Sequence, residues 1–219
     1  MLIALAIFAF FLGSIPFGVI VCRAKGVDIF SVGSGNIGAT NVVRAVGPTL
    51  GFLVFALDVA KGYIPGLVAR LAMHDQPFGI EGQTWSFLLG CVAIFGHMFS
   101  PWIKFKGGKG IATGLGTLLS SIPMTGLLAL GVMVLVTWVS RYVSLGSILA
   151  VLSTVPISYF VSKDSKQVLP ILVLFCIIVI WKHRANITRI LNGTESKFRF
   201  KKNVEEPKQE ERNEDENRH

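Results

Sequence analysis

Apolar runs of helical-span length recur along this chain, at about residues 2–22, 50–72, 84–103, 111–139, 142–161 and 167–181. A bilayer hydrocarbon core of ~30 Å is crossed by about 20 apolar residues in a helix, and an unpaired backbone cannot be left in lipid. Such repetition excludes a soluble domain and predicts an all-α, polytopic membrane helix bundle. Composition agrees: 52% of the 219 residues are hydrophobic, and the mean hydropathy is +0.60. The amino terminus is apolar from the second residue and lacks a basic stretch, so 2–22 reads as a retained helix. Cys22, Cys91 and Cys176 each fall in an apolar run without metal-ligand spacing, and they read as lipid-facing or packing residues.

Charge separates the chain into two parts. Residues 201–219 hold 5 of the 21 Lys and Arg and 7 of the 13 Asp and Glu, leaving 16 and 6 in residues 1–200. The mixed-charge end cannot bury a core and is expected to be a disordered cytoplasmic tail, with 1–200 as the membrane domain. The net positive charge of the first part suits an anionic lipid surface, an anionic substrate, or both. Nothing in the pattern suggests nucleic acid.

Lys and Arg also orient the bundle. Arg23, Lys25 and Arg44 lie in the polar stretch 23–49, and Lys104, Lys106 and Lys109 in 104–110, whereas 73–83 has neither residue type. The amino terminus is therefore expected outside and the first two basic loops inside. The segment after 182 carries Lys182, Arg184, Arg189, Lys197 and Arg199 and is expected inside as well. That places Lys163 and Lys166 outside and obliges the run 111–139 to leave the inner face and return. Its turn is expected near Ser120–Ser121–Ile122–Pro123, and one or both arms must be short or borrow residues from the flanks, because ~1.5 Å per residue cannot supply two full crossings. The expected count is about seven helices, with the carboxyl terminus cytoplasmic.

Three polar segments on that inner side carry chemistry. The first, SVGSGNIGATNVVR (31–44), combines glycines 33, 35 and 38 with Ser34, Thr40, Asn36, Asn41 and Arg44. Glycine-rich backbone can turn N–H groups toward an anion, and a guanidinium adds a multi-donor grip on phosphate. Gly33-x-Gly35-x-x-Gly38 also spells a dinucleotide fingerprint, but no strand precedes it and no βαβ unit fits. The plain alternative is a turn between membrane helices. The second segment, GHMFSPWIKFKGGKGIAT from Gly96, surrounds Lys109 with Gly107, Gly108 and Gly110. It is not a Walker A loop, and a positive-inside cluster would explain its lysines but not its glycines. The third, WKHRANITRI (181–190), follows the last span with His183, Arg184, Asn186 and Arg189. By itself it could be a basic anchor for anionic headgroups. Asp58 and Lys61, three apart inside a span, are expected to pair or to face the bundle interior. His97, at the end of the third span, is open to either packing or phosphate contact.

The ordered motifs GSGNIGATNVVR (33–44), GHMFSPWIKFKGGKG (96–110) and HRANITRI (183–190) closely resemble those of the bacterial acyl-phosphate:glycerol-3-phosphate acyltransferases, the PlsY family. The resemblance covers nearly all of residues 1–200. It implies transfer of a fatty acyl group from acyl phosphate to the 1-hydroxyl of glycerol-3-phosphate, giving lysophosphatidate and inorganic phosphate. It further implies a multi-pass enzyme of the bacterial inner membrane, its active site facing the cytoplasm. Membrane lipids are the expected surroundings, and a monomer the expected functional unit. Neither cofactor nor metal is expected. No Asp stands four or five residues beyond any histidine, which sets the chain apart from acyltransferases built on a His-x-x-x-x-Asp pair. Acyl phosphate is already activated, and no Cys or Ser stands with a base and an orienting acid, so no acyl-enzyme is expected. Positioning and charge stabilisation remain. Ser34, Gly35, Asn36, Asn41 and Arg44 are expected to hold phosphate, as are Lys104, Lys106, Gly107, Gly108, Lys109, Gly110 and Arg184. His183 and Asn186 are expected to complete the site and orient the attacking hydroxyl. His183 or a substrate phosphate oxygen would take its proton. An organic-phosphate transporter is the alternative, and it would call for an inverted repeat and polar residues at mid-membrane depth.

Overall fold

The computed structural model describes residues 1–73, 75, 77–161 and 167–198. The expectations for Lys163, Lys166 and the tail 201–219 fall outside the described residues. Within them the regular structure is helical throughout.

The first apolar run is broken into α1 (Leu2–Ser14) and α2 (Phe17–Arg23). The helix stops at Ile15–Pro16, so the carbonyls of Ser14 and Ile15 have no N–H four residues on to accept from. Ser100 Oγ donates to Ser14 O at 2.6 Å and Lys61 Nζ to Ile15 O at 3.0 Å, so both are met inside the protein. The stretch expected as loop between 23 and 49 instead contains a 3₁₀ turn (Ile29–Ser31) and a short helix, α3 (Ala39–Val46). Val42 on α3 is buried against Val19, Cys22 and Val54. The helix ends at Gly47, whose φ of 97° lets the chain turn directly into Pro48.

The remaining helices are α4 (Pro48–Ala72), α5 (Gly82–Met98, extended by a 3₁₀ turn at Pro101–Ile103), α6 (Ile111–Ser121), α7 (Pro123–Ser140), α8 (Val143–Val161), α9 (Leu169–Lys182) and α10 (Arg184–Leu191). Among the described residues, five helical segments are long and apolar enough to cross a membrane, or six if the bent pair α9–α10 counts as one. The chain is thus an all-α polytopic membrane bundle. The long run 111–139 divides at Ile122–Pro123, where the turn was expected. Its first arm, α6, has 11 residues, about half the hydrocarbon thickness at ~1.5 Å each. A Cβ on Gly126 would lie 3.1 Å from Leu118 Cβ, so α6 and α7 fold back on one another as a hairpin.

Small residues bring α6 tightly against α4. A Cβ on Gly62 would strike the Thr113 carbonyl, and one on Gly116 would strike that of Val59, so the two backbones touch. Two other hydroxyls of α6 bond their own helix: Thr117 Oγ1 donates to Thr113 O at 3.0 Å and Ser121 Oγ to Thr117 O at 2.7 Å. One end of the bundle gathers α3, the loop before α6, the start of α8 and α10.

Candidate active site

The first motif folds around Asn41. This buried amide donates to Ile29 O (3.2 Å) and Val32 O (2.9 Å) and accepts from Ser34 N (3.1 Å), closing the turn onto α3. Asn36 Oδ1 accepts from Gly38 N at 2.9 Å, directly before α3 begins. Gly33 and Gly35 take φ of 55° and 63°, a region costly for residues with a Cβ. Arg44 projects from α3 at the rim, where its guanidinium donates to Ser196 O at 3.3 Å.

In the second motif the chain reverses through left-handed Lys104 and Phe105 and lies back on the end of α5. Gly108 N donates to His97 O at 3.1 Å. A Cβ on Gly107 would strike the His97 and Met98 backbone, and one on Gly108 would strike the His97 ring. These two glycines therefore serve close packing. Gly108→Ala should displace His97 from Lys61, with a loss of about 1–3 kcal/mol in stability, the usual scale of overpacking. A fall in Tm with a parallel loss of activity checks this. The packing leaves Lys104 and Lys106 exposed and turns Lys109 inward.

Lys109 Nζ donates to Asn186 Oδ1 at 2.5 Å, joining the second motif to the third. Asn186 Nδ2 in turn donates to Glu195 Oε1 and Arg189 Nε to Glu195 Oε2, both at 2.7 Å. Loss of solvation opposes the Glu195 charge, but the neighbouring Ser144 hydroxyl and the hydrogen bonds from Arg189 and Asn186 outweigh it and hold this carboxyl below its ordinary range. His183, at the 57° bend between α9 and α10, is buried with Nδ1 2.8 Å from Val179 O. That bond makes Nδ1 the N–H of the neutral ring and leaves Nε2 as the acceptor. Burial, with Lys109 nearby, lowers His183 to about 4 against the partial support of the Val179 carbonyl.

These side chains line one cavity of about 270 Å³, with Ser34, Asn36 and Arg44 on one wall, Lys109 and Gly110 on the second, and His183, Asn186 and Arg189 on the third. Asn41 also faces it, though both ends of its amide are engaged. Desolvation lowers Lys109 to about 8, against the favourable charge of Glu195 and with the repulsion of Arg189 and Arg44. Three cations this close form a site waiting for an anion. Bound phosphate would raise the Lys109 value, so affinity depends on the protonated amine. The KM for a phosphate-bearing substrate should stay level from about pH 6, where phosphate becomes a dianion, to pH 8. Above 8 it should rise up to tenfold per unit. Lys109→Arg, whose guanidinium stays charged, should abolish the rise; KM measured from pH 6 to 10 checks both.

Gly35, Lys104, Lys106, Gly107, Gly108 and Arg184 do not line the cavity. Arg184 turns away, its guanidinium 4.4 Å from the Trp181 ring and donating to Trp181 O at 3.2 Å. Gly35 faces Phe30 O on the far side of the turn. Conversely, Asp58, His97, Ser144, Ser147, Arg189 and Glu195 line it, none of them named as a phosphate ligand from sequence. Glu195 had one signal, being among the 6 acidic residues before 201. Ser144 and Ser147 had none, because serine in an apolar helix ordinarily bonds its own backbone. At the inner end, Asp58 Oδ1 pairs with Lys61 Nζ at 2.8 Å, and Lys61 Nζ is 2.7 Å from His97 Nδ1. The internal pairing of Asp58 and Lys61 is as expected.

A second, apolar cavity of about 80 Å³ runs into the bundle between α6, α7, α8 and α9, lined by Phe87, Leu118, Leu172 and Phe175 among others. It shares Phe55, Gly110, Ile111, Met133 and Ser147 with the charged cavity, so the two adjoin along these residues. A cationic basin beside a greasy recess fits a molecule with a phosphate head and a hydrocarbon tail. Among the described residues, no three of His, Cys, Asp and Glu gather as a metal-ligand set.

The glycerol-3-phosphate acyltransferase family profile matches residues 3–193. A glycerol-3-phosphate acyltransferase of Trichlorobacter lovleyi is 44% identical over 191 residues, covering 87% of this chain and 94% of its own. That of Aquifex aeolicus is 43% identical over 194 residues, covering 89% and 97%. Two crystal structures described as PlsY, an integral membrane glycerol 3-phosphate acyltransferase, superpose with TM-scores of 0.81 (glycerol 3-phosphate form) and 0.79 (lysophosphatidic acid form). Both are 40% identical and cover 90% of this chain, with 96% and 95% of their own. The chain belongs to the glycerol-3-phosphate acyltransferase family.

Proposed function

We propose that this chain transfers a fatty acyl group from acyl phosphate to the 1-hydroxyl of glycerol-3-phosphate, releasing 1-acyl-glycerol-3-phosphate and inorganic phosphate. The observation that carries this reading is the charged cavity lying directly beside the apolar one, with lining residues in common. The donor must present a phosphate to cations and a chain to apolar side chains at once, and its reacting carbonyl must lie between them. Ser34, Asn36, Arg44 and Lys109 bind phosphate. Asn186 fixes Lys109, and His183, neutral at physiological pH, accepts a hydrogen bond at Nε2 and orients the attacking hydroxyl. Positioned cations stabilise the charge that develops on the departing phosphate. Lys104, Lys106 and Arg184 act on anionic headgroups outside the cavity, Gly107 and Gly108 seat Lys109, and Gly35 and Asn41 shape the first loop.

The setting is the bacterial inner membrane. Seven helical passes, α6 incomplete among them, would place the amino terminus outside and the cavity and carboxyl terminus in the cytoplasm. The Lys and Arg distribution supports this orientation. Membrane-impermeant labelling of intact cells tests it: a reagent reaching Lys109 or Arg189 from outside would overturn it. The protein acts as a monomer, each chain lining its own cavity. The reaction is tested by incubating purified protein with acyl phosphate and labelled glycerol-3-phosphate. Phosphate release matched by labelled lysophosphatidate supports the assignment. Release without lysophosphatidate, or binding without turnover, overturns it.

A further inference from the structure

The chain does not leave the site where α10 ends. Gly193, with φ of 68°, turns it back, and Thr194 N and Glu195 N donate to Arg189 O at 2.8 and 3.1 Å, closing the end of the helix. Glu195 and Ser196 then line the charged cavity, and Phe198 N donates at 2.7 Å to Arg141 O, in the turn between α7 and α8. Lys197 Nζ stands 5.7 Å from the centre of the Tyr142 ring in the same turn, within reach of a cation–π contact. Residues 194–198 are therefore a strap held at both ends. Glu195 ties one end to Asn186 and Arg189, and Lys197 and Phe198 tie the other to the α7–α8 turn. Ser196 is exposed and yet lines the cavity, so the strap runs along its opening. The matching family profile stops at residue 193, where the strap begins.

What the strap touches is Arg44, whose guanidinium donates through Nη2 to Ser196 O at 3.3 Å. A long side chain that must be fixed by its ligand loses rotamer freedom on binding, and one already fixed does not. The guanidinium has five N–H donors, so a single bond to a carbonyl leaves most of the fork for a phosphate. A neutral carbonyl also aims the cation without cancelling its charge, as a carboxylate would.

The two cavities indicate which phosphate this is. Ser34, Asn36, Arg44, Glu195 and Ser196 line the charged cavity alone, whereas Gly110, Ile111 and Ser147 line both. The donor's phosphate is tethered to a chain in the apolar recess and belongs beside the shared residues. The phosphate at the opening is then that of glycerol-3-phosphate, which arrives from water. We infer that residues 194–198 form a strap along the cavity opening which, through the Ser196 carbonyl, holds Arg44 ready for the phosphate of glycerol-3-phosphate. This rests on the acyl-transfer reading. Ser196, Lys197 and Phe198 are positioning residues: they act through Arg44.

The alternative is that 194–198 is only the chain leaving α10. Phe198→Pro removes the N–H that donates to Arg141, and Phe198→Ala, which loses the ring but keeps the N–H, is its reference. Both are made in the full chain, and glycerol-3-phosphate affinity is measured by equilibrium dialysis beside steady-state kinetics. Relative to Phe198→Ala, the proline variant should raise Kd about three- to tenfold, the scale of losing one pre-ordered side chain, with kcat within about threefold. In an Arg44→Gln background the same exchange should change Kd by less than about twofold, because the group being aimed is gone. An unchanged Kd, an effect as large without Arg44 as with it, or kcat and affinity lost together would overturn the proposal. Should the proline variant not fold, Lys197→Ala alters only an exposed side chain. It should raise Kd at least about twofold when Arg44 is present and not when it is absent. Wild-type affinity in Lys197→Ala would overturn the proposal. Wild-type protein that binds glycerol-3-phosphate yet makes no lysophosphatidate would instead remove the acyl-transfer reading, and the dialysis would still judge the strap.

Discussion

Lys109→Met should lower kcat/KM for acyl transfer by about 10²–10³-fold while leaving the protein folded. The methionine stem fills the same half-buried space, and neutralising the site relieves the repulsion among Lys109, Arg189 and Arg44. No buried charge is orphaned, because Glu195 keeps Arg189 at 2.7 Å. What is lost is a charge-assisted contact to phosphate in a partly desolvated cavity, ~3–4 kcal/mol at ~1.4 kcal/mol per decade. Steady-state kinetics beside a thermal melt make the check. A Tm within a few degrees of wild type assigns the loss to the site, whereas a collapse of Tm would mean that Lys109 holds the fold.

Asn186→Ala should cost about 10²-fold in kcat/KM, and it should lower Tm as well. This one amide receives Lys109 at 2.5 Å and donates to Glu195 at 2.7 Å, so it ties the glycine loop to α10 and to the segment behind it. Without it Lys109 is no longer aimed, and Glu195 keeps its ion pair with Arg189. Since Asn186 acts partly through Lys109, the two losses should not multiply. Asn186→Ala in a Lys109→Met background should cost less than tenfold further. A full further 10² would show that Asn186 works independently of the lysine.

The residues these experiments touch were legible for a physical reason. Arg44, Lys109, His183 and Asn186 each pair a charged or polar group with glycine or amide neighbours at a helix end, and topology alone gives no cause for the neighbours. Asp58 and Lys61 were legible as a pair because a spacing of three puts them on one helix face. The third contact of Lys61, with the Ile15 carbonyl at the break between α1 and α2, depends on which helix packs beside α4, and no local pattern records that. Lys104 and Lys106 look equivalent to Lys109 in sequence. They differ only once the loop folds onto His97 and turns one lysine inward and two outward. The turn at Ile122–Pro123 was visible from charge parity, whereas α3 was hidden by the glycines and amides ahead of it, despite the helical spacing of its valines. Glu195 lay in what read as an unremarkable run between α10 and the tail, and its role exists only through contacts with Asn186 and Arg189.

The placing of the apolar recess beside the charged basin has a kinetic consequence. A donor lodged with its tail among helices and its head at the inner leaflet never has to cross water as a free monomer. The enzyme should therefore respond to how crowded the donor is among neighbouring lipids rather than to its amount per litre. Diluting a fixed quantity of acyl phosphate with inert detergent or phospholipid would slow turnover, whereas glycerol-3-phosphate, arriving from solution, would saturate at the same molarity throughout.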